Sequence, residues 1–161
     1  LFWVGDLFDM QTQLLQNHYK QLYVGTKQIN KVHYEYYSPV VNKLNIKTLD
    51  NKLNKVYFND KKHGHKHSFI TYKYFSEMEQ HFIQISKKLK SNTPYVLVIG
   101  DSTVSDIFFN TSDFIVEIAE RNGFKLLGYW GYKIKHRYMR FNRNGRGGII
   151  EIDWVLTFIR V

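Results

Sequence analysis

A run of consecutive apolar residues, Tyr95-Val-Leu-Val-Ile99, is followed directly by Gly100-Asp-Ser102. An apolar run without the alternation of a half-buried strand is typical of a β-strand that is covered on both faces. Such strands build α/β sheets, and the polar residues at their carboxyl ends often contact ligands. Asp101 and Ser102 are therefore candidate substrate-binding residues, although Asp101 could instead cap the turn that follows it.

Helices and strands are predicted on both sides of this run. Apolar side chains at helical spacing predict a helix over 77–90, with the stripe formed by Phe75, Met78, Phe82, Ile85 and Leu89. A further helix is predicted from about Ser112 or Asp113 to Asn122, because Gly123 supplies a left-handed stop. Residues 125–134 and 148–160 are predicted as two strands joined by a basic, Gly-rich turn. This order predicts an α/β fold, the second half of an open sheet that ends in an antiparallel pair.

The first part of the chain has weaker patterns. A helix is predicted over about 6–20 from the spacing of its apolar residues. Residues 26–73 are polar and rich in Lys and Asn, so we expect an insertion or long connection there. Within it, short β-type patches are expected at Lys55–Phe58 and Ser68–Tyr72.

We expect a single domain over residues 1–161. It divides into a mostly helical and irregular portion, 1–93, and a strand-helix-hairpin portion, 94–161. The chain starts with Leu1-Phe-Trp-Val4 and has no initiator Met, and an apolar terminus is poorly suited to water. We therefore expect a fragment of a longer protein.

Composition and charge narrow the classes of function. The formal net charge is +9, and the 12 Tyr and 12 Phe residues exclude a wholly disordered chain. No apolar run approaches the roughly 18 residues of a membrane span, and the first residues lack the pattern of a signal peptide. The absence of Cys removes disulfides, thiolate zinc sites and cysteine nucleophiles, and it fits a reducing compartment. We expect a cytoplasmic protein without a membrane partner.

Residues 133–146 contain basic and aromatic side chains but no acidic ones. The candidate DNA-binding residues in this stretch are Lys133, Lys135, Arg137, Tyr138, Arg140, Arg143 and Arg146. Basic groups neutralise phosphates and release counterions, and aromatic faces stack on unpaired bases. The stretch therefore predicts a polyanionic partner such as double-stranded DNA. The alternative is a solvated basic hairpin without a partner.

Three histidines at alternate positions, His63, His65 and His67, raise the question of a metal site. Imidazoles two residues apart in a strand would face the same way. Lysines next to them would repel a cation, and neither Cys nor clustered acids accompany them. We therefore expect a flexible loop at this position and assign no metal ligand.

Several short motifs, taken in chain order, resemble the C-terminal half of S-adenosylmethionine-dependent DNA methyltransferases that modify exocyclic amino groups, at N6 of adenine or N4 of cytosine. Residues 27–73 contribute little to the resemblance. The motifs are Leu1-Phe-Trp-Val-Gly-Asp6, Tyr23-Val-Gly-Thr26, Tyr95-Val-Leu-Val-Ile-Gly-Asp-Ser102, Asn122-Gly-Phe124, Arg137-Tyr-Met139, Ile149-Ile-Glu151 and Val155-Leu-Thr-Phe158.

The resemblance implies a partial Rossmann-like methyltransferase sheet with flanking helices. One buried parallel strand, Tyr95–Ile99, would have a reversed final strand of the closing hairpin beside it. Asp101 and Ser102 would lie beside the pocket for the target base. The partners implied are double-stranded DNA, the remainder of the methyltransferase chain and a restriction endonuclease.

The chain lacks the two motifs on which the chemistry of the family depends, the catalytic tetrapeptide and the cofactor loop. The family's tetrapeptide, Asp/Asn/Ser-Pro-Pro-Tyr/Phe, accepts hydrogen bonds from the target amino group while its ring stacks on a flipped base. Tyr37-Ser-Pro-Val40 lacks the second Pro and the aromatic residue, and the Gly-rich cofactor loop is also missing. We therefore assign no catalytic residue here. Both motifs would lie upstream of Leu1, and this chain alone should neither bind S-adenosylmethionine well nor transfer a methyl group.

Other functions remain open. The chain could be a non-catalytic nucleic-acid-binding module on an inherited methyltransferase scaffold, or a fragment of an RNA or protein methyltransferase. In each case strand 95–99 lacks its expected neighbours, and an uncovered edge tends to pair. We expect either a homodimer through the sheet or a local covering by residues 1–25.

Overall fold

A computed structural model of the chain describes residues 20, 22–27, 29–135 and 150–161. In these residues the fold is mixed α/β, with helices packed on antiparallel sheets. The helices are α1 (Lys31–Tyr34), α2 (Lys47–Asn59), α3 (Gly64–Ser86) and α4 (Thr111–Arg121). The strands are β1 (Pro94–Gly100), β2 (Ser102–Val104), β3 (Ile107–Phe109), β4 (Phe124–Lys133) and β5 (Ile152–Arg160).

The larger sheet has the strand order β1-β5-β4, and both of its pairings are antiparallel. Since β1 and β4 are each antiparallel to β5, they run in the same direction on either side of it. Leu97 lies opposite Leu156, and Leu126 lies opposite Phe158. Strands β2 and β3 form a separate antiparallel hairpin directly after β1.

The expectation that Tyr95–Ile99 is buried on both faces is wrong for the described residues, in which the neighbour of β1 is β5, the reversed strand expected beside it. Strand β1 is hydrogen-bonded to β5 in antiparallel register, and its side chains alternate between a covered and an open face. Val96 and Val98, on the open face, are 56% and 60% exposed. These two valines make the run continuously apolar although they are exposed. The sequence pattern therefore could not distinguish a strand buried on one face from a strand buried on both.

The hydrophobic core lies between the other face of the sheet and helices α2, α3 and α4. Phe82 of α3 contacts the rings of Phe124 in β4 and Phe158 in β5, with centroids 5.4 and 5.9 Å apart. Phe82 and Phe158 are fully buried. Burial of such a side chain stabilises a fold by about 1.5–3 kcal/mol, so this aromatic cluster joins helix and sheet strongly.

The expectation of an irregular connection with β-patches over 26–73 is wrong for 47–73, which is mostly helical, whereas 35–46 is irregular. The patch at Lys55–Phe58 belongs to α2, and the patch at Ser68–Tyr72 belongs to α3. Helix α2 buries Leu49, Leu53 and Val56, which are spaced by four and three residues, but its outer face is Lys- and Asn-rich. The apolar stripe of this helix is narrow and most of its residues are polar, so the sequence did not predict the helix.

Helix α3 is longer at its start than the sequence predicted, beginning at Gly64 and ending at Ser86. Its first half buries polar residues rather than apolar ones. The Ser68 hydroxyl donates to the carbonyl of Leu53 at 2.9 Å and lies 3.2 Å from the Tyr37 hydroxyl. An apolar repeat could not show this part of the helix because these contacts are hydrogen bonds.

The predictions for the end of the chain are confirmed. Helix α4 and strands β4 and β5 lie where the sequence placed them, and Gly123 has a φ of 82°. Lys20, the described residue of the helix predicted over 6–20, is helical. The rest of that helix and most of the β4–β5 turn fall outside the described residues. None of the helices in the described part of the chain has both the length and the apolar character needed to cross a membrane.

Candidate functional site

Asp101 stands at the carboxyl end of β1 and joins three parts of the fold. Its Oδ1 accepts hydrogen bonds from the backbone N–H of Ser112 at 3.1 Å and from the Ser112 hydroxyl at 2.8 Å. Its Oδ2 accepts a hydrogen bond from Nε1 of Trp154 at 2.8 Å. The carboxylate therefore caps the first turn of α4, a structural role that the sequence left open, and it also fixes the indole of β5.

Tyr129 of β4 extends this network. Its hydroxyl donates to Ser112 Oγ at 2.7 Å and lies 2.9 Å from Asp113 Oδ1, and its ring meets the Trp154 ring edge-on with centroids 5.0 Å apart. Burial raises the pKa of Tyr129 to about 12, and the neighbouring carboxylates act in the same direction. Tyr129 is therefore a neutral hydrogen-bond donor at ordinary pH.

Ser102, the second candidate from the sequence, begins β2. Its hydroxyl lies 3.2 Å from Thr111 Oγ1 at the start of α4. Asp101 and Ser102 thus both contact the first turn of this helix. Their side chains hold the end of β1 and the start of the β2–β3 hairpin against α4.

A cleft of about 290 Å³ opens beside Asp101. Its walls come from β1, the β2–β3 hairpin and the start of β5, and they combine apolar and aromatic surface with a few polar groups. The lining residues are Asp101, Thr103, Phe108, Ile150, Glu151, Ile152 and Trp154. Phe108 is 51% exposed, so the face of a planar ligand could contact it. A small planar molecule with polar edges suits this combination.

The sequence located Asp101 and the motif Ile149-Ile-Glu151, but it did not single out Thr103, Phe108 or Trp154. Thr103 and Phe108 come from a short hairpin that no periodicity indicated, and Trp154 comes from a strand more than 50 positions along the chain. For Asp101, the local signal was a polar residue directly after an apolar run. The remaining walls depend on how the chain pairs.

Two of the predicted DNA contacts lie in the described residues. Lys133 ends β4 and Lys135 follows it, and both are exposed. Arg137, Tyr138, Arg140, Arg143 and Arg146 fall outside the described residues. The sequence did not single out Trp130 and Tyr132, which are 57% and 59% exposed on the same strand.

The three histidines do not share a face. His65 stacks on Tyr57 with centroids 4.1 Å apart, whereas the Nδ1 atom of His67 lies 3.3 Å from Oδ2 of Asp60. They lie at the start of α3 and in the turn before it, not in the loop that we expected. Within the part of the chain that the structure describes, no group of three or more acidic or histidine side chains is arranged to hold a metal ion.

The end of β1 does not fit S-adenosylmethionine. A cofactor cradle needs a glycine after a strand whose backbone is open to the ligand. Gly100 ends β1, but a Cβ built on it would lie 2.6 Å from the side chain of Ile150, so that side is filled by protein.

Comparisons of the chain with models of protein families, with curated proteins and with solved structures find no match.

Proposed function

We propose that this chain is the base-facing, C-terminal portion of an S-adenosylmethionine-dependent DNA methyltransferase that modifies the exocyclic amino group of adenine or cytosine. The observation that carries the proposal is the strand order β1-β5-β4. The resemblance implied a reversed final strand beside Tyr95–Ile99. Strand β5 lies there, and every residue of β1 is paired with it in antiparallel register. The finer, Rossmann-like assignment of the sheet rests on this order together with the motifs.

The cleft beside Asp101 supports a role in holding the target base. A base that is modified at an amino group must leave the DNA stack and enter a pocket that contacts both its face and its edge. Phe108 and Trp154 offer aromatic surface to the face of the base, while Thr103 and Glu151 offer polar groups to its edge. Asp101 already accepts three hydrogen bonds, so it shapes the cleft instead of taking a proton from the base.

Strand β4 supports DNA as the partner. Lys133 and Lys135 place two exposed ammonium groups at the end of the strand, close in sequence to the exposed rings of Trp130 and Tyr132. Ammonium groups neutralise backbone phosphates, and exposed aromatic rings can stack on unpaired bases. The remainder of the enzyme and a restriction endonuclease are the protein partners proposed, in the cytoplasm.

S-adenosylmethionine would supply the methyl group in the whole enzyme. Gly100 at the end of β1 offers it no open backbone, and the tetrapeptide that would contact the target amino group is missing from the sequence. The proposal therefore assigns to this chain the orientation of the base and the contact with DNA. It assigns the transfer step to residues upstream.

The gene tests the proposal directly. The codons ahead of Leu1 should encode a Pro-Pro-Tyr or Pro-Pro-Phe tetrapeptide a short distance upstream, and a Gly-rich cofactor loop should lie further away on the same or a companion chain. Isothermal calorimetry of this chain with S-adenosylmethionine should show no tight binding. A stop codon or unrelated upstream sequence, or micromolar binding of the cofactor by this chain, would refute the proposal.

A non-catalytic nucleic-acid-binding module is the second candidate. The exposed lysines at the end of β4 and the exposed rings along it favour this candidate, because contacts of these side chains with nucleic acid require neither the tetrapeptide nor the cofactor. In that case the protein encoded by the full reading frame binds DNA but never methylates it.

A further inference from the structure

The segment 36–76, which includes α2 and the first half of α3, is strongly basic. It contains eight Lys and only two acidic residues, Asp50 and Asp60. Asp50 is 8% exposed, and its Oδ1 accepts a hydrogen bond from the backbone N–H of Leu44 at 3.0 Å. The positive charge of this segment therefore lies mainly at its surface, while one of its two acids is buried.

Asp60, the second acid, forms the corner between α2 and α3. Its Oδ1 accepts hydrogen bonds from the backbone N–H groups of Lys62 and His63, at 3.1 and 2.8 Å. Its Oδ2 accepts one from the hydroxyl of Ser105 at 3.0 Å and lies 3.3 Å from Nδ1 of His67. Within the described residues, Asp60 is paired with no lysine ammonium, because its carboxylate holds the turn itself.

Three lysines around this corner are exposed and lack an acidic partner. They are Lys55 in α2 and Lys61 and Lys62 in the turn, and none of them is in an ion pair with another described residue. By contrast, Lys52 and Lys73 donate to acceptors of the protein. We call Lys55, Lys61 and Lys62 the basic corner.

The position of this charge does not stabilise the fold. Lys61 and Lys62 come just before Gly64, the first residue of α3, and Lys66 lies in the first turn, which contains no acidic residue. Because the N-terminus of a helix carries a partial positive charge, lysines beside it lower the stability of the helix. Charge at an unfavourable position is typical of a functional surface.

The basic corner lies behind one wall of the candidate site. The hydroxyl of Ser105, at the tip of the β2–β3 hairpin, donates to Asp60 in the corner. Thr103 and Phe108 of the same hairpin line the cleft beside Asp101. Two residues of extended chain, about 7 Å, separate Ser105 from Thr103. The corner is therefore close to the cleft, on the side of the hairpin.

The lysines that follow β4 lie on the other side of the same cleft. The start of β5 forms the wall opposite the hairpin, and β4 is paired with β5. Gly100 at the end of β1 and Tyr132 near the end of β4 both lie opposite Asp153, so the two strands end at the same end of the sheet. Two strand spacings, about 10 Å, separate β4 from β1. Basic groups thus flank the cleft on both sides.

We propose that the basic corner binds the sugar-phosphate backbone of the duplex DNA whose target base enters the cleft beside Asp101, on the side opposite Lys133 and Lys135. The choice of DNA as the partner rests on the proposed function, but the phosphate contact requires neither a flipped base nor methyl transfer. Ammonium groups neutralise phosphates whatever the base sequence. The corner therefore adds affinity and orientation without sequence specificity.

The salt dependence of binding tests the corner. Replacing its three lysines by Ala removes three phosphate contacts, so the slope of log affinity against log salt should decrease in magnitude by about 3 on a fully paired duplex. Lys87, Lys88 and Lys90 are exposed at the opposite end of the sheet, and their replacement by Ala makes the same change in net charge. That control should change the slope by less than about 1. Equal changes in the two triple variants overturn the proposal.

A variant that gains affinity excludes loss of structure as the explanation. Asp106 is exposed at the hairpin tip and lines a cleft of about 480 Å³ together with Lys62, so its carboxylate repels phosphates near the corner. Asp106→Asn removes the charge and suits the φ of 62°, because Asn tolerates a left-handed backbone. It should raise the affinity for duplex DNA about twofold to fivefold at low salt.

Glu120→Gln is the control for this gain. Glu120 is exposed near the end of α4, and its replacement makes the same change in net charge away from the corner. It should raise the affinity less than about twofold. A gain in Asp106→Asn no larger than the gain in Glu120→Gln overturns the placement of phosphates at the corner.

The position of the duplex can be mapped because the chain contains no Cys. An iron chelate attached to Lys61→Cys should cleave the DNA within about 10 base pairs, one helical turn, of a single mismatched, easily flipped base. The same chelate on Lys87→Cys should leave this region uncut. Cleavage that is equal from the two positions contradicts the proposal.

The outcomes separate the corner from the proposed function. If the corner variant changes the slope on paired DNA but a mismatch has no effect on binding or cleavage, the phosphate contact stands and the base cleft fails. If a mismatch strengthens binding but the corner variant matches its control, the corner fails and the function stands. A chain that binds no duplex refutes both. A larger loss on single-stranded RNA, or on phosphatidylserine vesicles, than on duplex DNA overturns duplex DNA as the partner of the corner.

Discussion

The indole N–H of Trp154 donates to Oδ2 of Asp101 at 2.8 Å, linking the start of β5 to the end of β1. The other carboxylate oxygen caps α4 through Ser112. One side chain thus ties two strands that border the candidate cleft to the first turn of α4. Because the contacts lie within the protein, the cleft is formed before a ligand arrives.

Replacement of Asp101 should lower stability more than replacement of a neighbouring acid. Asp101→Ala leaves the Trp154 N–H and the Ser112 N–H without their partner, so the free energy of unfolding should fall by about 1–3 kcal/mol. Asp153 lies next to Trp154 in β5, on the opposite face of the strand. Asp153→Asn should change the free energy of unfolding by less than about 0.5 kcal/mol. Urea unfolding followed by circular dichroism measures both, and equal losses would contradict this role for Asp101.

Two glycines of β4 should respond differently to substitution by Ala. A Cβ at Gly131 would lie 2.7 Å from the ring of Trp154, which is tied to Asp101, whereas a Cβ at Gly128 would meet the far end of the exposed Trp130 ring. Gly131→Ala should therefore cost about 1–3 kcal/mol by overpacking. Gly128→Ala should cost much less because the Trp130 ring can swing into solvent. Thermal unfolding measures both costs. A cost for Gly131→Ala as small as that for Gly128→Ala would contradict a fixed position of the Trp154 ring.

Alkaline pH should destabilise the protein through Tyr74. Burial raises the pKa of Tyr74 to about 12, so the unfolded chain loses its proton near pH 10 while the folded protein keeps it. The contribution of Tyr74 is present below about pH 10 and should fall by about 1 kcal/mol between pH 9 and pH 11. Tyr74→Phe should reduce this loss, while Tyr36→Phe, which changes a side chain that is 89% exposed, should not. Denaturant titrations at the two pH values provide the measurement.

The lysines at the end of β4 should contribute to DNA affinity in a salt-dependent way. Replacing Lys133 and Lys135 by Ala removes two phosphate contacts, so the slope of log affinity against log salt should decrease in magnitude by about 2. Lys87 and Lys88 are exposed but follow α3 near the other end of the sheet, so their double replacement is the control. Fluorescence anisotropy with duplex DNA at several salt concentrations measures the slopes. Equal effects of the two pairs would mean that the binding is unspecific charge attraction.

Phe108 should matter for an unstacked base more than for duplex DNA. Phe108→Ala should weaken binding to a mismatched, flippable duplex by about 1–3 kcal/mol, the size of one base–aromatic stack, and leave binding to a fully paired duplex nearly unchanged. Phe58→Ala is the matched control, since that ring is 64% exposed in α2 and lines no part of the cleft. A uniform loss on both duplexes would remove Phe108 from the proposed site.

The end of the fold could be predicted from the sequence because its signals are local. Gly123 stops α4 with a left-handed backbone, and apolar strands flank a Gly-rich turn. The first half of α3 was missed because Ser68 and Thr71 are buried through hydrogen bonds, which leave no apolar repeat. The burial of β1 was misjudged because Val96 and Val98 are apolar but exposed in the described residues.

The candidate site was predictable only where it follows a strand. Asp101 stood out by its position after Tyr95–Ile99, but Phe108 and Trp154 reach the cleft through strand pairing that no short segment encodes. The contact between Asp60 and Ser105 is a similar case. Asp60 and Ser105 are 45 residues apart, and two hairpin residues with positive φ bring them together. The covering of the open face of the sheet, by residues 1–25 or by a second copy of the chain, stays a prediction.

The central claim is tested most directly by methyl transfer. The protein encoded by the full reading frame, incubated with DNA and S-adenosylmethionine labelled in its methyl group, should label the DNA, and nucleoside analysis should identify N6-methyladenine or N4-methylcytosine. The chain 1–161 alone should leave the DNA unlabelled. DNA that stays unlabelled with the complete, folded protein, although the protein binds it, would contradict the claim.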